Sequence, residues 1–331
     1  MKILIVHVSA CIIFFLFLFS GCMKTEEPIK YAYGTFPDTI MPLSSLNSQY
    51  DDYNTSAYLL QGYLSLVFSS NRESSGEQFD LIQGLVYFIF DQQCGKFEFQ
   101  AELTNDVFLT TLTNRANTSG DDLGPNRIYS PSDGYEYMIL SSANSEGNLD
   151  LYYTKNRPYY YGYDVPVIEG PFNVSIFNTD ANEAYFCFNI SQDSGYFCSD
   201  ITGDFDIYVY PRSSDLAVDT WLNLNYVQST GLETINTAAN DKCPYVYGNL
   251  MVFVSDKPGG FGGYDIYYSV LKNGQWGPPV NMGPGINTEA NEYRPVIGGS
   301  SDYTNEFMIF SSDRPDGKGG YDLYFTGLSI P

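Results

Sequence analysis

From about residue 50 to the C-terminus, apolar and polar residues alternate in short stretches, each closed by a turn rich in Gly, Asn or Asp. A period of two predicts half-buried strands, and the intervening turns predict antiparallel pairing. The last unit shows this best, with strands predicted near residues 293–298, 306–312 and 321–327. One unit earlier a further strand is predicted over residues 275–282, entered through Lys272-Asn273-Gly274. Asn-Gly between extended runs is a strong hairpin signal, because both residues accept a positive φ. No helical periodicity stands out beyond the apolar run of residues 3–19, so the chain is predicted to be all-β.

The strands repeat. VSDKPGGFGGYDIYYS (residues 254–269) returns without a gap as SSDRPDGKGGYDLYFT (residues 311–326). Residues 195–209, 138–154 and 66–81 hold three further copies with altered loops. The marker aspartates Asp80, Asp150, Asp206, Asp265 and Asp322 are separated by 70, 56, 59 and 57 residues. Such a period is too long for a solenoid repeat and fits one four-stranded β-propeller blade with its loops. A second marker, INTEANE at residues 286–292, recurs as INTAAND at 235–241 and FNTDANE at 177–183, each ahead of a unit's first strand. Five blades are expected, and a sixth would have to be hidden in residues 92–126, the extra length of the first step. The last unit lacks a fourth strand, whereas residues 36–53 align with residues 276–293. The N-terminal strand around residues 35–42 is therefore expected to pair with the last blade and close the ring, leaving no open edge there.

The first 22 residues, MKILIVHVSACIIFFLFLFSGC, combine a lysine, an apolar run and a small-residue end. That is the form of a secretory signal, with a transmembrane anchor as the alternative. Ser20-Gly21-Cys22 resembles a bacterial lipobox, with Phe19 where an aliphatic residue is usual. The resemblance implies cleavage before Cys22 and a lipid on that cysteine. Residues 1–21 would then be the signal, 22–32 a lipidated tether and 33–331 the propeller. Glu26-Glu27 resembles the acidic export signal of surface lipoproteins in Bacteroidetes. Attachment to the outer membrane through Cys22 is expected, with the periplasmic or outward face left open.

Charge removes some partners. A formal net charge of −23, from 16 Lys+Arg against 39 Asp+Glu, opposes binding to nucleic acid. The single histidine, His7, lies in the segment expected to be removed. A mature chain without histidine has no Ser-His-Asp or Cys-His catalysis and no His-ligated metal.

The motifs SDRPDGKGGYDLYFT and WGPPVNMGPGINTEANEYRP resemble the WD-like propeller repeats of TolB and of many Bacteroidetes envelope proteins. The likeness is specific in the last two units, fair in the third and loose in the first two. It implies a propeller that binds partners in the envelope.

Asp150, Asp206, Asp265 and Asp322, with Asp256 and Asp313, recur from blade to blade. Repetition favours a role in tying down turns, since one active site needs no copy per blade. No catalytic residue and no metal-ligand set is assigned. Calcium, on the Asn and Glu oxygens of the INTEANE segments, is the one cofactor held open, although D-x-D-x-D-G spacing is absent. Tyr159, Tyr160, Tyr161 and Tyr163 form an aromatic run able to stack on sugars. Cys187 and Cys198 flank a predicted turn of the third unit, where a disulfide and two buried thiols are both compatible with export. The expected function is a non-catalytic envelope scaffold that presents its ring face to a protein or a glycan. The alternative is a glycoside hydrolase-like enzyme with paired carboxylates at the propeller centre, for which Glu183 and Glu292 are the acids considered.

Overall fold

The marker strands assemble as their spacing predicts. The computed structural model describes residues 28–60, 62–158, 166–227 and 229–329, and its strands form five antiparallel sheets, the blades of a β-propeller. The short strand β1 (Met41–Pro42) comes first. Blade 1 holds β2 (Asp52–Leu60), β3 (Tyr63–Ser70), β4 (Asp80–Asp91) and β5 (Lys96–Leu103), and is followed by helix α1 (Val107–Ala116). Blade 2 holds β6 (Asp122–Ser130), β7 (Tyr135–Ala143), β8 (Leu149–Asn156) and β9 (Glu169–Asn173). Blade 3 holds β10 (Glu183–Phe188), β11 (Ser194–Ser199) and β12 (Asp206–Pro211), then helix α2 (Val218–Leu222) and β13 (Thr230–Gly231). Blade 4 holds β14 (Asp241–Tyr247), β15 (Leu250–Ser255) and β16 (Asp265–Lys272), with its fourth strand split into β17 (Gln275–Trp276) and β18 (Val280–Asn281). Blade 5 holds β19 (Glu292–Gly298), β20 (Glu306–Ser312) and β21 (Asp322–Leu328).

The ring closes through the N-terminal segment. Met41 pairs with Phe325 and Pro42 with Tyr324, which makes β1 the fourth strand of blade 5. Phe36 is buried in the same seam and stacks on Tyr303 with ring centroids 3.9 Å apart. Residues 92–126 hold no sixth blade. They supply β5 and helix α1. Asp106 caps α1 by accepting from Leu109 N at 2.9 Å. Phe108, Leu109, Leu112 and Ala116 form the buried face and pack with Val67, Leu81, Met138 and Leu140, filling the seam between blades 1 and 2.

The Asn-Thr markers explain how neighbouring blades lock. The side chain of Asn287 acts as a short strand: its Oδ1 accepts from Ile266 N at 2.8 Å and its Nδ2 donates to Ile266 O at 2.9 Å. Asn47 clasps Leu323, Asn178 clasps Leu151 and Asn236 clasps Ile207 in the same way. The two glycines of each GGYD turn serve the same seam. A Cβ on Gly262 would lie 2.3 Å from Ala290 O, and one on Gly319 would lie 1.9 Å from Tyr50 O. Backbone approaches backbone there, and any side chain is excluded.

The innermost strands share one irregularity that the sequence pattern does not announce. Each carries a bulge after its second residue, at Tyr53/Ser56, Leu123/Asn126, Ala184/Cys187, Lys242/Tyr245 and Tyr293/Val296. The residue entering the bulge has positive φ in all five: Asn54, Gly124, Tyr185, Cys243 and Arg294. Pro125, Pro244 and Pro295 follow three of them, where a missing N–H costs no ladder bond. Around the ends where the inner strands begin, rings of Tyr53, Tyr185, Tyr264, Tyr293 and Tyr321 touch, with Tyr264–Tyr293 centroids at 5.2 Å and Tyr53–Tyr321 at 5.3 Å. The cavities described next lie at the opposite rim, formed by the hairpins that end the inner strands.

Candidate functional site

The repeated acids belong to the fold. The acid that opens each inner strand, Asp52, Asp122, Glu183, Asp241 or Glu292, is buried and binds the turn before it. Glu292 accepts from Thr288 N at 2.8 Å, Thr288 Oγ1 at 2.7 Å and Ser312 Oγ at 3.0 Å. Glu183 does the same with Thr179 and Ser199. Glu183 and Glu292 are thus two of five equivalent groups, and neither is the singular centre-facing carboxylate considered from the sequence. The outer aspartates are bound in their own turns or to the turn that leads into the same blade. Asp256 and Asp313 accept from the N–H and amide of Asn240 and Asn291. Asp265 accepts from Phe261 N, Gly262 N and Asn281 Nδ2, and Asp322 from Lys318 N and Gly319 N. Asp206 takes the Thr202 hydroxyl, and Asp150 opens the outer part of β8 opposite Ser142.

Burial gives these acids a pH signature. It pushes Asp122 up to about 6, against the bonds from Thr118 and Ser142 that favour the carboxylate, and it raises Glu183 and Asp241 as well. A carboxyl whose folded pKa lies above its unfolded value takes up a proton on folding. Its contribution is full below the unfolded pKa near 4 and is lost as pH rises through the folded one. Melting temperature is expected to rise as pH is lowered from 7 toward 5, and Asp122→Asn should flatten that slope, measured by calorimetry.

Other expected residues fall out. Cys187 and Cys198 are both buried and free. The bulge sets Cys187 opposite Tyr196 and Cys198 opposite Ala184, so the two are not cross-strand neighbours and the disulfide expectation is corrected. Cys22 and the run Tyr159, Tyr160, Tyr161 and Tyr163 lie outside the described residues. Among the described residues no cluster of three or more His, Cys, Asp or Glu could hold a metal.

Function is best sought where the repeat is broken. At the position where other inner strands carry Ala57, Phe188, Val246 and Ile297, β6 carries Arg127. Its side chain is 5% exposed, and the guanidinium donates to Glu136 Oε2 at 3.1 Å and to Ser65 Oγ at 3.2 Å and lies over the rings of Tyr58 and Phe108. Asn156 Nδ2 donates to the same Glu136 oxygen at 3.2 Å. Arg127, Glu136, Ser65 and Phe108 line a cavity of about 290 Å³ between blades 1 and 2, together with Asp106 at the cap of α1. Two carboxyls therefore share one concavity; Glu306 holds the position of Glu136 in blade 5, but there Ile297 stands in place of the arginine. Leu60 is common to this cavity and to a second of about 930 Å³ between blades 1 and 5, lined by Phe88, Phe90, Asp91, Gln92, Asp302 and Tyr303. Asp91 accepts from the N–H groups of Gln93 and Cys94, and its carboxyl is held below the usual range by its bonds to Cys94 and Gln93. The hairpin rim thus offers a long concave surface with carboxylates and aromatic rings, a composition suited to small polar ligands with apolar faces.

Fold and rim together define a five-bladed β-propeller with an open, carboxylate-bearing hairpin face. No family model and no curated protein matches the chain. Solved structures do. An endo-arabinase from Bacteroides thetaiotaomicron superposes with a TM-score of 0.54 at 12% identity, over 90% of this chain and 98% of that one. An α-L-arabinofuranosidase from Lactobacillus brevis gives a TM-score of 0.53 at 11% identity, over 89% and 94%. The β-xylosidase RS223 gives 0.51 at 11%, over 88% and 95%. Identity this low is a statement about the fold. It nonetheless corrects the expectation of a non-catalytic scaffold. That expectation rested on the lipobox, the repeat and the missing histidine, whereas these neighbours with the same ring are glycoside hydrolases.

Proposed function

We propose that this chain is a carbohydrate-active enzyme that cleaves glycosidic bonds at the hairpin rim, with Glu136 and Asp106 as its working carboxyls. The observation that carries this reading is the pairing of Glu136, fixed by an arginine that no other blade has at that position, with Asp106 in one cavity that adjoins a larger, aromatic-lined one. Glycoside hydrolysis needs two carboxyl groups and no histidine. Both Arg127 and Asn156 bind Oε2 of Glu136, which fixes its rotamer and leaves Oε1 to act on a water or on the anomeric carbon. Asp106, held at the helix cap, is the partner that serves the leaving oxygen. Tyr303, Phe88 and Phe90 supply ring faces for neighbouring sugar units. The names of the structural neighbours support pentose-containing glycans as the substrate class. The test is release of reducing ends from arabinan, arabinoxylan and aryl pentosides by the full chain. Absence of turnover across that panel, or full turnover in both Glu136→Gln and Asp106→Asn, overturns the reading.

The leader supports a place in the envelope, with a lipid on Cys22, and the repeat motifs support kinship with the WD-like propellers of TolB and Bacteroidetes envelope proteins. Labelled palmitate is expected to enter the wild-type chain in cells and to be lost in Cys22→Ser. Equal labelling of both removes the lipid anchor.

A further inference from the structure

The axis of the ring holds a cation without a counter-ion. Arg294 enters the bulge of β19 and is fully buried. From blade 5 its guanidinium reaches the carbonyls of Pro244 in blade 4, Phe186 in blade 3 and Gly124 in blade 2. Contact with three other blades places the group on the axis. The three distances are 3.4, 3.5 and 3.4 Å, long beside the roughly 2.8 Å of a charge-assisted bond. Among the described residues no carboxylate pairs with it, and its Nε has no partner. The nearby thiols offer no negative charge, since burial pushes Cys187 and Cys198 up to about 12 and Cys243 higher still.

A second unsatisfied group lies at the same bulge position of the neighbouring blade. Asn54 enters the corresponding bulge of blade 1, the neighbour of blade 5 across the closure, and its backbone N–H donates to Ser311 Oγ of blade 5. Its side chain is fully buried, and both Nδ2 and Oδ1 lack partners. Buried polar groups of a folded chain are paired, and an isolated buried charge is compensated by an opposite one. Water would satisfy the amide and leave the charge. The five bulges converge on one axis, and Nε lies on the stem side of the guanidinium, away from the three carbonyls.

We propose that the propeller axis binds one small monovalent anion of halide size, held by Arg294 Nε and Asn54 Nδ2. The site is sealed from solvent, so the anion is taken up on folding and stabilises the ring.

The test uses the full chain and bromide. Crystals grown in sodium bromide are expected to show an anomalous peak on the axis within contact of Arg294. Melting temperature should be about 5 °C higher in chloride or bromide than in gluconate at equal ionic strength, and Arg294→Met should abolish the difference. If Arg294→Met fails to fold, Asn54→Ala serves, with an expected weakening of the halide effect. A water, a protein group or nothing at the axis in bromide, with equal melting in all three salts, overturns the proposal.

Discussion

Glu136→Gln is expected to lower turnover by about 10³-fold, the usual scale for loss of a catalytic carboxyl group. The substitution keeps shape and leaves an oxygen to accept from Arg127, yet it removes the charge that would act on a water or an anomeric carbon. Stability complicates the reading, because Arg127 and Glu136 form a pair with side chains only 5% and 12% exposed. Breaking such a pair from one side costs about 3–5 kcal/mol, because the other charge stays buried. Replacing both sides with apolar groups of similar volume is close to neutral. The double variant Arg127→Met/Glu136→Leu therefore separates the two roles. Blade 1 already manages the equivalent place with Ala57 and Leu64. Melting of the double variant within a few degrees of wild type, with no turnover, identifies a pair kept for chemistry. A double variant that fails to fold would instead make the pair a structural element and shift the search toward Asp91 and Asp302 in the larger cavity.

Why the pair escaped the sequence is a matter of register. Arg127 and Glu136 lie on opposite arms of a hairpin, and only the pairing of Tyr129 with Glu136 brings them to one face. No short motif marks such a diagonal contact. A signal did exist, however: aligning the five units puts Arg127 in a column otherwise filled by Ala57, Phe188, Val246 and Ile297. Arg294 stands out in the same manner at a bulge position shared with Gly124 and Cys243, each followed by proline. Comparison between blades, more than the repeat itself, carries information about function. The repeat carries the fold, because a two-residue period and copied turn chemistry are local properties of the chain. Blade number, strand order and closure at Met41–Pro42 were legible for that reason. Helix α1 was not, since Thr110, Thr111 and Thr113 dilute its helical character and the segment is only ten residues long. Its capping Asp106 and the apolar spacing of Phe108, Leu109, Leu112 and Ala116 would have betrayed it.

Gly319→Ala is expected to cost about 3 kcal/mol and to lower the melting temperature by roughly 5 °C. The added methyl would lie 1.9 Å from Tyr50 O and 2.7 Å from Tyr50 C. Neither atom belongs to a movable side chain, so blade 5 and the turn leading into blade 1 must separate. That seam is the ring closure. Across it Tyr321 N donates to Asp51, Asp52 N donates to Tyr321 O, and Asn47 clasps Leu323. A shift at Gly319 is therefore felt by every bond that joins the two ends of the chain. Gly262 makes the same approach between blades 4 and 5, with Thr288 O at 2.5 Å from a Cβ built there. Gly262→Ala should be comparably costly in equilibrium unfolding. The two should differ in kinetics, since a loosened closure lets the ring open at its ends while a loosened inner seam does not. Gly285→Ala is the control: nothing lies within 4 Å of its Cβ, and its melting should match wild type. Faster unfolding of Gly319→Ala than of Gly262→Ala at equal loss of stability makes the closure the first seam to part, and equal rates would place the unfolding barrier elsewhere in the ring.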